Sequence, residues 1–287
     1  MSTEPRATSR ESKNQAGFHH VILIVAVVVI GLVGFGGWRV YKLKSQSETT
    51  FQVTDSQTGK SEKVTWARTQ DGWKVSGTPP ACPKPLVKLP VDISLATSIL
   101  YPGQTRGGDF KAHGGFRFDN QKDNSVSVTA PLDAELAYAS RYIEMGELQY
   151  MFDFIAPCGY TYRFDHLLAL GAQFQAVADK LPPAKENDSR TSTVNPKVPV
   201  KAGETIATQV GMNKDRLNVF FDWGLYDMRS KNQASKDAAW AAAHPFSNAQ
   251  HGVCWFDLLS ADEEAKVRAL PASDSDSGTT SDFCKSE

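Results

Sequence analysis

Residues 149–164 read QYMFDFIAPCGYTYRF. The runs 149–156 and 160–164 are rich in Tyr, Phe and Ile, and Pro157 and Gly159 part them. This predicts two short β-strands separated by a turn. Similar runs lie on both sides, at 91–94, 115–118, 126–130 and 135–140 upstream and at 205–210 and 217–223 downstream. Many are bounded by Gly, Pro, Asn or Asp. Helical patches are few. Residues 172–181 carry Phe174, Val177, Ala178 and Leu181 at helical spacing, and Pro182-Pro183 stops them. Residues 237–243 are Ala-rich, and 262–270 form a candidate surface helix. The expected class is mainly β, an antiparallel sandwich or barrel with a few short helices.

Working outward, residues 86–230 make the main β domain, and 231–270 a helical and aromatic extension holding Trp240, Trp255 and Phe256. That extension is expected to be a lid or an interface. Residues 271–287 are Ser/Asp/Gly-rich and predict a flexible tail. Upstream, 39–85 read as a linker that carries a small β-meander. Its strands alternate at 50–55, 63–69 and 73–76, with a turn at Gln70-Asp71-Gly72. Residues 21–38, VILIVAVVVIGLVGFGGW, carry no charge. With Phe18, His19 and His20 they reach about the 20 residues that span a bilayer core, and no A-x-A cleavage pattern follows. This predicts an uncleaved single-pass anchor at 18–38 behind a disordered tail at 1–17.

Orientation does not follow from charge, because Arg6, Arg10 and Lys13 before the span balance Arg39, Lys42 and Lys44 after it. The four cysteines, Cys82, Cys158, Cys254 and Cys284, all follow the anchor, which suits disulfides in an oxidising compartment. The N-terminus is therefore expected in the cytoplasm and the main domain outside it. Three pairings are open.

The chain has 287 residues, with 31 Lys plus Arg against 32 Asp plus Glu and a net charge of −1. That balance excludes a generally basic nucleic-acid binder and a highly charged disordered chain. There is no P-loop, no G-x-G-x-x-G, no C-x-x-C and no G-x-S-x-G elbow.

Candidate chemistry centres on two histidines of the β body. His113 opens HGGFRFDN, where Gly114 and Gly115 permit unusual backbone geometry or close approach to a ligand. His166 lies in YRFDHLL. Asp119, Asp165 and Asp222 are the carboxylates available to them. Arg117, four residues after His113, falls on the same strand face and is expected to hold His113 neutral.

In order, HGGFRF (113–118), VTAPLDAELAYAS (128–140), YRFDHL (162–167), VKAGETIATQVG (200–211) and NVFFDWGLYD (218–227) resemble the landmarks of the LytM/lysostaphin-type zinc peptidases. Those are peptidoglycan endopeptidases on an antiparallel β-fold. The resemblance covers about residues 98–228. It implies that the first zinc ligand is His113 and that the Y-x-H-L histidine, a catalytic group, is His166. The Asp ligand of H-x-G-x-D falls on Arg117, and the H-x-H pair falls on Asn218 and Phe220. A guanidinium repels a metal ion and a phenyl ring has no lone pair to give. The resemblance therefore implies a degenerate site without the standard zinc and with no cofactor. Such a domain would bind cell-wall glycan or peptide, or an envelope protein, through a cleft of His113, Arg117, Asp119, His166, Asn218 and Asp222. Phe116, Tyr162 and Trp223 would offer stacking area. Two alternatives stand beside it. One is an active hydrolase with zinc on a shifted set of His113, Asp119 and His166 with Asp222, or with metal-free acid–base chemistry at His166. The other is a structural subunit of an envelope assembly.

Overall fold

The aromatic runs that open the sequence reading form the middle of a large antiparallel sheet in the computed structural model, which describes residues 48–54, 59–69, 72–214 and 216–284. Its strands begin with β4 (Ser98–Leu100), β7 (Gly114–Arg117), β8 (Val128–Thr129), β9 (Ala134–Glu144), β10 (Glu147–Ile155) and β11 (Tyr160–Leu170). They continue with β12 (Ser192–Val200), β13 (Thr205–Val210) and β14 (Phe220–Asp227). The order is β12-β9-β10-β11-β14-β7-β4, with β13 on β11 and β8. A separate hairpin joins β5 (Gln104–Arg106) to β6 (Asp109–Lys111). Among the described residues the fold is thus mainly β with a few short helices, as the runs predict.

One face of the central strands supplies the core. Tyr162 and Phe164 of β11, Phe152 and Phe154 of β10, Phe116 of β7 and Phe221 and Trp223 of β14 are all fully buried. Phe154 and Tyr162 stack with centroids 4.7 Å apart, and Trp223 lies 4.1 Å from Trp255 of the C-terminal extension. Rings of this size each remove a large apolar area from water, so this layer carries most of the hydrophobic stabilisation. Phe116, Tyr162 and Trp223 therefore cannot serve as stacking platforms. The alternation of the strands turns them inward, away from the cleft.

Helix α1 (Ala172–Ala178) lays Phe174 on this core, and α4 (Ala261–Arg268) starts at a capping box of Ser260 and Glu263. Between them in sequence are α2 (Ala238–Ala243), capped by Asp237, and α3 (Ser247–His251). All three helical patches of the sequence are present. The run at 91–94 is not a strand, because Asp92 caps a short 3-10 turn over Ile93–Leu95 instead. Strand β12 was not expected, since Pro196 and Pro199 argue against a strand interior. It is the outer strand of the sheet, where a missing N–H does not break a ladder.

The meander is real: β1 (Glu48–Thr54), β2 (Ser61–Thr69) and β3 (Gly72–Ser76) pair in that order. It is not an independent stalk. Phe51, Val64 and Trp66 share a core with Ala137, Ile155 and Met228, and the Trp66 indole donates to the Pro157 carbonyl. Cys82 pairs with Cys158, tying the end of the linker to the β10–β11 turn, and Cys254 pairs with Cys284.

The expected flexibility of 271–287 is corrected through Cys284. Ile99 of β4 donates to Pro271 and accepts from Ser273, Gln104 donates to the carbonyls of Gly278 and Thr280, and the disulfide fixes the end. Polar composition signals solvent exposure, and here the backbone groups are nonetheless paired. The anchor at 18–38 and the tail at 1–17 lie outside the described residues. Among the described residues no helix is long and apolar enough to cross a membrane.

Candidate functional site

Strand β11 changes partner half-way along. Tyr160 to Asp165 pair with β14, whereas Leu167 to Leu170 pair with β13. The change falls on His166, whose φ is +62°, and the β10–β11 register slips at the same level. A side-chain-bearing residue in the left-handed region costs of order 1–3 kcal/mol, and such strain collects at sites where a side chain must be aimed. Here it aims the His166 imidazole across the sheet at Asp222 of β14.

Asp222 is the hub. Its Oδ2 lies 3.0 Å from His113 Nε2 and 3.6 Å from His166 Nε2. Its strand partner is Gly115, and a Cβ there would sit 2.8 Å from Asp222 Oδ1 and 2.6 Å from the Phe221 carbonyl. Gly114 likewise faces the Leu100 carbonyl at 2.4 Å from where a Cβ would be. The two glycines of HGGF thus serve close approach, of a neighbouring carboxylate and a neighbouring strand, rather than unusual dihedrals.

His166 Nδ1 is 2.6 Å from Gln149 Oε1, and the Gln149 amide donates to the Gly211 carbonyl, which turns its oxygen to the ring. Glu144 stands 3.8 Å from the same nitrogen. Asp165 accepts from the His166 backbone N–H and from the Tyr142 hydroxyl at 2.6 Å. Both ring nitrogens therefore face oxygen acceptors, the setting of an imidazolium. Burial pulls the His166 pKa down, but Asp165, Asp222 and Glu144 outweigh it and raise the pKa to about 9. Burial opposes the charge on Asp222 too, and the two histidines overcome it, holding its carboxyl well below the usual carboxylate range.

Arg117 does not approach His113 in the role expected of it. Its guanidinium grips Asp119 Oδ1 at 2.9 and 3.2 Å and the Asn218 side-chain oxygen at 2.8 Å. The charged side chain against the His113 ring is Asp222 instead. Asp119 is held further by the Thr97 hydroxyl at 2.8 Å, so it turns toward Arg117 and not toward the histidines. Directly across the ladder from Arg117 is Phe220, with the guanidinium 6.0 Å from the ring centroid.

The six cleft residues therefore fall into two groups. His113, His166 and Asp222 converge, and Arg117, Asp119 and Asn218 form a second cluster beside them. Gln149, Tyr142 and Glu144 were not anticipated. Tyr142 and Gln149 are directly paired across the β9–β10 hairpin, a relation that its Met145-Gly146 turn could have exposed.

A zinc ion is the group that the resemblance brings with it. Its second and third ligand positions hold Arg117 and Phe220, neither of which can coordinate a metal. Asp119 of the shifted set is engaged elsewhere, and the His166 ring faces acceptors on both sides. Among the described residues no three His, Cys, Asp or Glu side chains are placed to hold a metal ion. The donor set does not fit zinc. What the arrangement can do is present a buried ion-paired carboxylate beside a partly exposed histidine, with the Arg117 guanidinium in a separate hollow of about 190 Å³.

The chain matches no protein-family model and no curated protein.

Proposed function

We propose that the chain is a membrane-anchored, extracytoplasmic domain of LytM-like fold, degenerate at the metal site, that binds cell-wall peptidoglycan or a wall-hydrolase partner. The observation that carries this reading is the cross-strand pair of Arg117 and Phe220. At the two positions where a zinc peptidase of that type needs a carboxylate and an imidazole, this chain has a cation over an aromatic ring. The hollow beside it keeps Arg117, Asp119 and Asn218, polar groups that would serve recognition. Arg117, on exchanging Asp119 and Asn218 for a ligand, would offer a planar fork to a peptide carboxylate. Two disulfides suit an oxidising compartment and so support the outward placement of the domain.

The test is co-sedimentation of the full-length protein, held in detergent, with purified peptidoglycan sacculi. Retention without release of soluble fragments is expected, and Arg117→Ala should weaken it. Failure to sediment would remove the wall-binding reading. A second reading, metal-free hydrolysis with His166 as proton donor beside Asp222, is favoured by the strain at His166. Fragments that appear with the wild type and disappear with His166→Gln would put that reading first.

A further inference from the structure

The β5–β6 hairpin on one side and α2 and α3 on the other enclose a cavity of about 600 Å³. Asp109, Lys111, His113, His244, Phe246 and Asn248 lie on its wall. The size falls within the range of small-molecule sites. Three features narrow what it takes.

The first is charge. Asp109 and Lys111 are 3.5 Å apart, so the two residues of fixed charge on the wall offset each other, and the His113 ring turns its Nε2 to Asp222. A phosphate or a strongly charged peptide would find no net opposite charge there. The second is the mixture of donors and acceptors. Asp109 accepts, Lys111 donates and Asn248 does both. His244 gives its Nδ1 proton to the Trp240 carbonyl at 2.9 Å, and its ring lies on the same wall. That set suits hydroxyl groups, each of which donates and accepts. The third is Phe246. It is 77% exposed, the most exposed large hydrophobic residue described. It also walls a second, smaller hollow of about 220 Å³ together with Arg68 and Gln250. The ring is a ridge between the two hollows. A flat apolar face flanked by hydroxyl-binding groups fits the C–H face of a pyranose, and two hollows astride one ridge fit successive rings of a chain.

We propose that this cavity is a glycan subsite, which takes neutral sugar rings of a linear oligosaccharide stacked on Phe246. This deepens the wall-binding reading and rests on it for the source of the glycan. His113 lies on the wall of the cavity and turns its Nε2 to Asp222, so the cavity abuts the histidine–aspartate cluster.

The experiment is calorimetric titration of the full-length protein with a β-1,4-linked tetramer of N-acetylglucosamine. Saturable binding is expected, weakened by about tenfold or more in Phe246→Ala and unchanged in Val75→Ser, an exposed residue outside both hollows. Asn248→Ala should weaken it as well. Absence of binding, or equal binding by Phe246→Ala, overturns the proposal. Sacculi retention without tetramer binding sinks the glycan subsite alone. Tetramer binding without sacculi retention supports the subsite and sinks the wall-binding reading.

Discussion

Two residues apart on the same strands, β7 and β14 carry clusters built on opposite terms. Around Asp222 the charges are withdrawn from water, with side-chain exposures of 14% for Asp222 and 12% for His166. Each is tolerable only because opposite charge stands beside it, from His113 as well for Asp222 and from Asp165 and Glu144 as well for His166. Around Phe220, Arg117 and Asp119 stay 30% and 50% exposed, and water screens their attraction. The inner cluster is therefore a matter of stability, and the outer one is where we propose that recognition occurs. A substitution should be felt in folding at the first and in binding at the second.

The largest effect that would break this contrast is at the hub. Asp222→Ala leaves the buried His166 ring with Asp165 and Glu144 but takes the carboxylate from its Nε2 and from His113, and up to about 3–5 kcal/mol should be lost in urea denaturation. A loss near that of a surface residue would mean that the inner cluster is solvated. Next comes pH. The folded pKa of His166 lies above its ordinary value, so its contribution is complete below the usual histidine range and disappears as pH rises through about 9. Asp222 has a lowered pKa, so its contribution is present above the usual carboxylate range and disappears as pH falls through the acid range. Unfolding free energy should thus drop on the alkaline side by roughly 3 kcal/mol at most, and His166→Gln should flatten that limb. A variant with the same alkaline limb would assign it to another group.

The contrast can also be sharpened by gain. If Arg117 and Phe220 occupy the two missing ligand positions, Arg117→Asp with Phe220→His should raise bound zinc to about one per chain by elemental analysis, over a wild-type background. No uptake would show that the backbone there differs from that of the peptidases. The smallest expected stability change is that of Arg117→Ala, below about 1 kcal/mol, with its weight falling on sacculi binding instead.

Much of the sheet was legible because its strands are short, aromatic and punctuated. The run 205–210 coincides with β13, and 149–156 and 160–164 fall on β10 and β11. Strand β12 was hidden by its prolines, which only an edge position tolerates. The site was half legible. His113, His166 and Asp222 stood out as residue types, but their meeting depends on β11 exchanging one partner strand for another at His166. No local pattern encodes that exchange. Asp119 looked equally suitable as a partner, yet Thr97 and Arg117 claim it, and that claim comes from residues brought together by pairing of β4 with β7. The tail was misread for a similar reason: its order comes from partners far away in sequence.

That tail has a consequence for how the chain is made. Strand β4 is the far edge of the sheet, and the main-chain groups on its open side are taken up by Pro271 and Ser273. A ribosome delivers β4 early and those partners near the end. Throughout the interval the nascent chain carries a bare strand edge, a template for pairing with any other extended segment. Chains truncated before residue 271 would keep that edge for good. They should self-associate even where their core is intact, so residues 271–273 act as the molecule's protection against its own copies.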